Sequence, residues 1–262
     1  MNKRMGSITI LLCTFFFAVH ASASESRDHY RTFEDLNGKR IGVITGTVFE
    51  YVVNNTLDYT RMFNFTDMSE MVQSLRNGEL DCIVDDEPIL RYIASGADDL
   101  TVIDRLRTDA YALAFNRERH KLRREFDGRI RAMLADKTIE KIVDAWMKNE
   151  GETSPMPEAS RDAVLRLGTF PDTPPFVFND DDGNITGIDV EIVKAICRDL
   201  GYGLAITPMD FDSMFDEVQN GSVDVIAACI TVTGDREPFV AFSIPYYHGG
   251  IAVMVRTDSI GE

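Results

Sequence analysis

Residues 74–83 (SLRNGELDCI) align without a gap on residues 217–226 (EVQNGSVDVI), 143 positions further along a chain of 262. Both segments spell the same local event. A helix runs into a glycine, Gly78 or Gly221, that can take the left-handed conformation closing many helices, and an apolar-Asp-apolar strand follows through Asp81 or Asp224. Solenoid and propeller repeats recur every ~20–50 residues, so a period this long marks two related α/β lobes rather than an array. Two similar lobes in one chain imply a cleft between them.

The rest of the chain alternates strands with helices, the pattern of open sheets flanked by helices. Residues 40–45 read as a strand and 49–55 as the start of a helix. Residues 68–76 form a helix with Met68, Met71, Val72 and Leu75 on one face, and 80–84 the next strand. Ile130, Met133, Leu134, Ile139, Ile142, Val143 and Trp146 keep a three-and-four spacing across two successive helices. Residues 151–161 (GETSPMPEASR) hold two prolines, a glycine and no periodicity, the composition of a linker. Beyond it, residues 164–169 read as a strand, followed by a Pro-rich turn ending at Pro175-Phe176 and a hairpin through Asp182-Gly183-Asn184. A helix over 188–200 then turns Val193, Ile196, Cys197 and Leu200 inward and stops at Gly201.

At the amino terminus Lys3 and Arg4 precede an apolar run from Ile8 to Val19, and Ala21-Ser22-Ala23 supplies a small-x-small cleavage pattern. This predicts a cleavable signal peptide and an exported, periplasmic protein; the run falls short of the ~18 residues that a membrane-spanning helix needs. About 240 residues remain, enough for two lobes with cores of their own. Loss of Lys3 and Arg4 takes the formal charge from −16 to −18, which argues against nucleic acid and anionic membrane surfaces as partners. Cys82, Cys197 and Cys229 lie in apolar stretches without close spacing or a neighbouring His, so they read as unpaired core thiols rather than a metal set. His20, His29, His120 and His248 are scattered, and no catalytic or metal site and no cofactor is expected.

Four segments together resemble the family 3 bacterial solute-binding proteins that serve polar amino acid uptake. They are Pro175-Phe176 with Asp182-Gly183 and Gly187-Ile188-Asp189-Val190; Thr233-Gly234-Asp235-Arg236 with Phe242-Ser243-Ile244-Pro245-Tyr246-Tyr247; the strand and turn from Leu36 to Thr47; and the helix carrying Ile139, Ile142, Val143 and Trp146. The resemblance implies a two-lobed α/β fold of the type II periplasmic binding protein (Venus-flytrap) kind, each lobe an open mixed sheet flanked by helices. The order departs from the family's, since the segments of its second lobe and carboxyl end here precede those of its first lobe. Either the chain is a circular permutant, or it carries the end of one tandem domain and the start of the next. One occurrence of each part and a length fitting one complete domain favour permutation. The expected organisation is a signal peptide over 1–23, a lobe similar to the family's second over 24–112, a crossover strand and closing helices over 113–150, a linker over 151–162, a lobe similar to the family's first over 163–250, and a crossover strand and tail over 251–262.

Within the resemblance, Arg236 matches the clamp for a ligand carboxylate, whose planar fork can hold both oxygens, and Asp86 matches the acceptor of the ligand ammonium. Asp86 can equally be a cap for the helix starting near Glu87. Thr231 matches a supporting hydroxyl and Phe211 an aromatic wall, while the amides of Thr47 and Val48 at a helix start are anion donors. Cys229 replaces a common pocket serine, Thr173 a wall tyrosine and Val48-Phe49 the usual Gln or Thr, changes that make the cleft more apolar than in binders of strongly basic amino acids; Asp85 and Asp172 could add charge. The implied function is capture of a small polar solute, an α-amino acid, by a monomer that delivers it to an ABC permease. The alternatives are a sensory module, which would need a membrane helix beyond Glu262, and a lyase similar to the cyclohexadienyl dehydratases, with Glu50, Asp85 or Glu87 as general acid.

Overall fold

A computed structural model describes residues 30–160 and 163–260, so the expected signal peptide lies outside the described residues. The first lobe opens with β1 (Arg40–Ile44), α1 (Val48–Thr56), β2 (Arg61–Phe65), α2 (Met68–Arg76), β3 (Cys82–Asp86), α3 (Glu87–Ser95) and β4 (Leu100–Tyr111). β5 (Ala114–Phe115), α4 (His120–Ala135) and α5 (Thr138–Met147) follow. The second lobe contributes β6 (Val164–Thr169), β7 (Asp172–Thr173), β8 (Val177–Asn179), β9 (Ile185–Thr186) and α6 (Ile188–Leu200). It continues through β10 (Gly203–Pro208), α7 (Met214–Asn220), β11 (Val225–Ile226), β12 (Ala241–Phe242) and β13 (Tyr247–Arg256).

Two five-stranded sheets result, in the orders β2-β1-β3-β13-β4 and β10-β6-β11-β5-β12. In each, three mutually parallel strands are followed by one antiparallel strand and then a fifth that pairs antiparallel with it. The fourth strand of each sheet belongs to the other half of the chain: β13 leaves the second half to pair with β3 and β4, and β5 leaves the first half to pair with β11 and β12. The two crossing segments run side by side, with the Ala112 amide donating to the Ile230 carbonyl at 3.0 Å and the Tyr246 amide to the Tyr111 carbonyl at 3.0 Å. A three-ring cluster of Tyr111, Phe176 and Tyr247 packs at this hinge.

The parallel strands are buried on both faces, as helix-covered sheets require. Ile41, Val43, Cys82 and Val84 face Phe33, Leu36, Phe49 and Val53 on one side, whereas Ile44 and Ile83 join Met71 and Leu75 in the larger core on the other. The predicted stripe of α2 is buried as read, and Asp67 caps the helix by accepting the Glu70 amide at 2.6 Å. The internal repeat acquires a physical meaning. Asp81 accepts from the amide and guanidinium of Arg40 at 2.8–3.1 Å, and Asp224 does the same for Arg166 at 2.9–3.0 Å. Each aspartate therefore clasps the start of its lobe's first strand.

Two expectations change. The strand read at 80–84 lies at Cys82–Asp86, because Leu80 is still held in the turn by the Ser74 carbonyl and the backbone of Asp85 and Asp86 pairs with β13. Residues 151–160 do lack helix and strand, yet they form a docked strap. The Ser154 amide donates to Glu191 at 3.1 Å, buried Lys194 donates to the Ser154 carbonyl and to Glu191 at 2.9 Å, and Gly151 abuts the Trp146 ring. The strap covers one face of α6, which explains why that helix buries Glu191 and Lys194, whereas Asp189 is buried where it accepts the Cys229 amide. Cys82, Cys197 and Cys229 are buried free thiols.

Gly187, at φ +118°, opens α6 where the Pro175 and Phe176 carbonyls receive the first helix amides; a Cβ there would lie 2.4 Å from the Phe176 carbonyl oxygen. Gly187→Ala is expected to destabilise the protein by roughly 2–5 kcal/mol through combined strain and overlap. Thermal denaturation should show a fall of roughly 5–15 °C. Gly183→Ala, at φ +81° with open space around it, should cost only about 1 kcal/mol.

Candidate ligand-binding site between the lobes

Parallel sheets leave a crevice beyond the carboxyl ends of their strands, where no further backbone pairing fills space. Here both sheets aim those ends at one narrow cavity between the lobes. β1 and β3 bring Thr47, Val48, Asp85 and Asp86 to it; β6 and β11 bring Phe170, Thr173, Cys229 and Thr231, and the following segments add Phe211 and Arg236. All eight residues singled out from the sequence line this one space. Glu50 and Glu87 do not. Glu50 accepts from the Gly46 amide and Asn64, and Glu87 pairs with Arg91 and Arg105, each at 2.8 Å.

Arg236 spans the cleft. Its guanidinium donates to the Thr231 carbonyl at 3.1 Å in its own lobe and to the Gly46 carbonyl at 3.2 Å in the other. The group lies 4.9 Å from the Phe215 ring centroid and 5.5 Å from that of Phe211, within the range of cation–π attraction. Burial pulls its pKa down to about 10, against the attraction of Asp86 and Asp109, and it stays charged at neutral pH. Gly46 touches Asp212 of the opposite lobe closely enough that a Cβ would overlap it, so the lobes meet across the cavity.

Asp86 occupies the cap position of α3, but its side chain makes no cap bond; it accepts instead from the hydroxyl of buried Tyr111. Of its two sequence readings, the capping role is thus removed. Asp85 accepts the Asp86 amide with one oxygen at 2.7 Å, and its other oxygen is buried without a partner among the described residues. Burial, with repulsion from Asp172, pushes Asp85 up to about 7, and burial with repulsion from Asp85 pushes Asp86 well above the usual carboxylate range. Asp172 accepts the Met68 amide at the start of α2, across the cleft, and burial raises it to about 6. Burial likewise lifts Asp189, which receives the Cys229 amide at 3.0 Å, to about 7.

Other expectations are refined by the geometry. The Thr47 amide and hydroxyl both turn back to the Ile44 carbonyl, at 3.4 and 2.6 Å, leaving Val48 as the first amide of α1 facing the cavity. The Thr173 hydroxyl is directed at the Phe170 and Val177 carbonyls. The wall expected to be missing at Thr173 is furnished by Phe170, packed edge-on to Phe211 at 6.1 Å. Sequence reasoning did not single out Phe170 or Tyr111; neither belongs to the motifs, and only the fold carries them to the site.

A guanidinium and carboxylates thus converge in a cavity between two α/β lobes, the concave kind of site that small molecules occupy. The sequence profile of the bacterial extracellular solute-binding proteins, family 3, matches residues 165–260, so this part of the chain is similar to that family. It is 28% identical to the L-cystine-binding protein TcyJ of Escherichia coli (strain K12) over 50% of this chain and 46% of that protein. To the arginine-binding extracellular protein ArtP of Bacillus subtilis (strain 168) it is 35% identical over 36% of this chain and 37% of that protein. A probable histidine-binding protein of Neisseria gonorrhoeae is 28% identical over 40% of each chain. The alignments thus span less than half the length of these curated relatives. A solved ancestral arginine-binding protein bound to arginine is 41% identical over 32% of this chain and 38% of that one, with a TM-score of 0.32.

The raised acids set a pH dependence. Between about pH 4 and pH 7 the folded state holds protons on Asp85, Asp172 and Asp189 that the unfolded chain, near the ordinary 3.8, has released. Unliganded stability should therefore fall as pH rises through this window. Asp81 and Asp224, which burial would raise but their arginine partners hold below the ordinary value, act in the opposite sense and only below about pH 4. Thermal scans from pH 4 to 8 should place the highest melting temperature near the acid end; a profile rising steadily to pH 7 would contradict the site's electrostatics.

Proposed function

We propose that this protein is an exported, periplasmic receptor that captures an α-amino acid between its lobes and hands it to an ABC-type permease. The observation that carries this reading is the meeting of Arg236 and Asp86, from opposite lobes, at one buried cavity. An α-amino acid presents a carboxylate and an ammonium a few ångströms apart. A guanidinium fork facing one and a carboxylate facing the other match it, and filling both draws the lobes together. Val48 at the start of α1 offers a further amide to the ligand carboxylate, and Phe170 and Phe211 offer apolar walls to its side chain. Naming of relatives as cystine-, arginine- and histidine-binding proteins supports an amino acid as the ligand.

We read the segment order as a circular permutation. Its support is that both five-stranded sheets are completed within the described residues, each by a strand from the other half. Half-domains from a tandem array would each lack that fourth strand. The two lobes, the 151–160 strap and the crossing strands then form one closed unit working as a monomer.

Calorimetric titration of the purified protein with the twenty amino acids tests the reading. At least one should bind, and a hundredfold excess over its dissociation constant should stabilise the fold by about 2.7 kcal/mol. Arg236→Ala should weaken that ligand by roughly 30-fold or more, since it strips a buried charge of its partner. If no amino acid binds a cooperatively folded protein, the ligand class is wrong.

A further inference from the structure

The second lobe closes the cavity with the turn after β11, where Ala228, Cys229 and Thr231 line it. Cys229 stands there at φ +50°, in the left-handed region that is unfavourable for a residue with a Cβ and persists only where the surroundings impose it. Its amide donates to Asp189 at 3.0 Å, across 40 positions, to a side chain in the first turn of α6. The other residues of the turn are held from elsewhere: the Thr169 hydroxyl donates to the Ala227 carbonyl, and the Ala112 amide to the Ile230 carbonyl at 3.0 Å. Two residues beyond Cys229, the Thr231 carbonyl accepts from the Arg236 guanidinium at 3.1 Å.

An acidic residue in the first turn of a helix has an ordinary explanation, because the helix dipole favours negative charge there. A solvated carboxylate serves that purpose, whereas Asp189 is 1% exposed. One of its oxygens has no hydrogen-bond partner among the described residues, and the groups that bear on it are the Cys229 amide and the phenol of buried Tyr246 rather than a cation. Burying an acid in this way is costly, and an apolar side chain would avoid the cost. What an apolar side chain cannot supply is an acceptor for the Cys229 amide. We propose that Asp189 is a positioning residue of the ligand cavity: it fixes Cys229 in its left-handed conformation, and through Cys229 the second-lobe wall and the Thr231 carbonyl on which Arg236 rests. Asp189 is itself anchored, since its amide donates to the Phe176 carbonyl at 3.0 Å and Phe176 packs in the ring cluster at the crossing segments. The hold on Cys229 is independent of the solute; its consequence for affinity rests on the amino acid reading above.

The test reads the hold at the amide on which it acts. In protein carrying isotopically labelled cysteine, hydrogen exchange of the Cys82, Cys197 and Cys229 amides is followed separately by NMR. Asp189→Ala is expected to speed exchange at Cys229 by about tenfold or more relative to the other two, while Asp189→Asn, which keeps an acceptor oxygen, stays within about threefold of the unaltered protein. General destabilisation would instead speed all three together. L-cystine, L-arginine and L-histidine are then titrated calorimetrically: whichever binds the unaltered protein should bind Asp189→Ala about tenfold or more weakly, and Asp189→Asn within about threefold. Should Asp189→Ala not fold, the unaltered protein and Asp189→Asn decide the matter. Burial raises Asp189 to about 7, so the Cys229 amide proton shift should show a step near that pH, and Asp189→Asn should remove most of it. Equal acceleration of all three amides, an unmoved Cys229 amide or a step that persists in Asp189→Asn overturns the hold. A released Cys229 amide with unchanged affinity overturns its bearing on the cavity. Release of the Cys229 amide alone, with none of the three amino acids bound by any form, supports the hold and counts against the amino acid reading.

Discussion

Each sheet in this protein is completed by a strand from the other half of the chain, and the remaining architecture depends on that exchange. Without β13, β3 and β4 would both expose unpaired edges in the middle of the first sheet; without β5, β11 and β12 would do so in the second. The exchange joins the lobes through two adjacent crossing segments. It also orients both sets of parallel strands so that their carboxyl ends face each other. The cleft is thus a consequence of topology before any side chain is considered.

The side chains then give that cleft its sign. Burial raises Asp85, Asp86 and Asp172, and a single guanidinium is present to offset them. Acidic groups thus outnumber basic ones in this enclosed space, where charge interacts more strongly than in water. Tyr111 links this chemistry to the hinge. It stacks with Phe176 and Tyr247 where the crossing segments run, while its hydroxyl donates to Asp86. Gly249 leaves it room: a Cβ there would sit 2.1 Å from that hydroxyl oxygen. Asp86 is consequently held from the segment where the two halves of the chain cross.

Much of this was legible in the sequence, for reasons that differ by residue. The stripe of Met68, Met71, Val72 and Leu75 could be read because helix periodicity is local, and Gly78 and Gly221 because the helix stops they make, at φ +74° and +82°, need no partner outside the turn. The lining of the cavity by Arg236, Asp86 and Phe211 came from motifs, whose spacing survives any change in segment order. Tyr111 and Phe170 were not legible, since nothing in their neighbours marks them, and long-range pairing alone brings them to the cavity. The strap was misjudged for a related reason: prolines and small residues signal an irregular backbone, but they do not say whether it is docked, and here Glu191 and Lys194, some 40 positions away, decide that it is.

The sequence by itself determined that two related α/β lobes exist and that a cleft lies between them, because helix stops, strand patterning and a repeated Asn-Gly motif are properties of neighbouring residues. What those repeated aspartates do was decided only in three dimensions, where Asp81 and Asp224 clasp Arg40 and Arg166 across 41 and 58 positions. The protonation balance of the cavity was decided there as well. A carboxylate's pKa depends on burial and on the charges packed around it, and no local pattern records that Asp85 would be enclosed with Asp86 and Asp172 while Arg236 is drawn to Asp86 and Asp109.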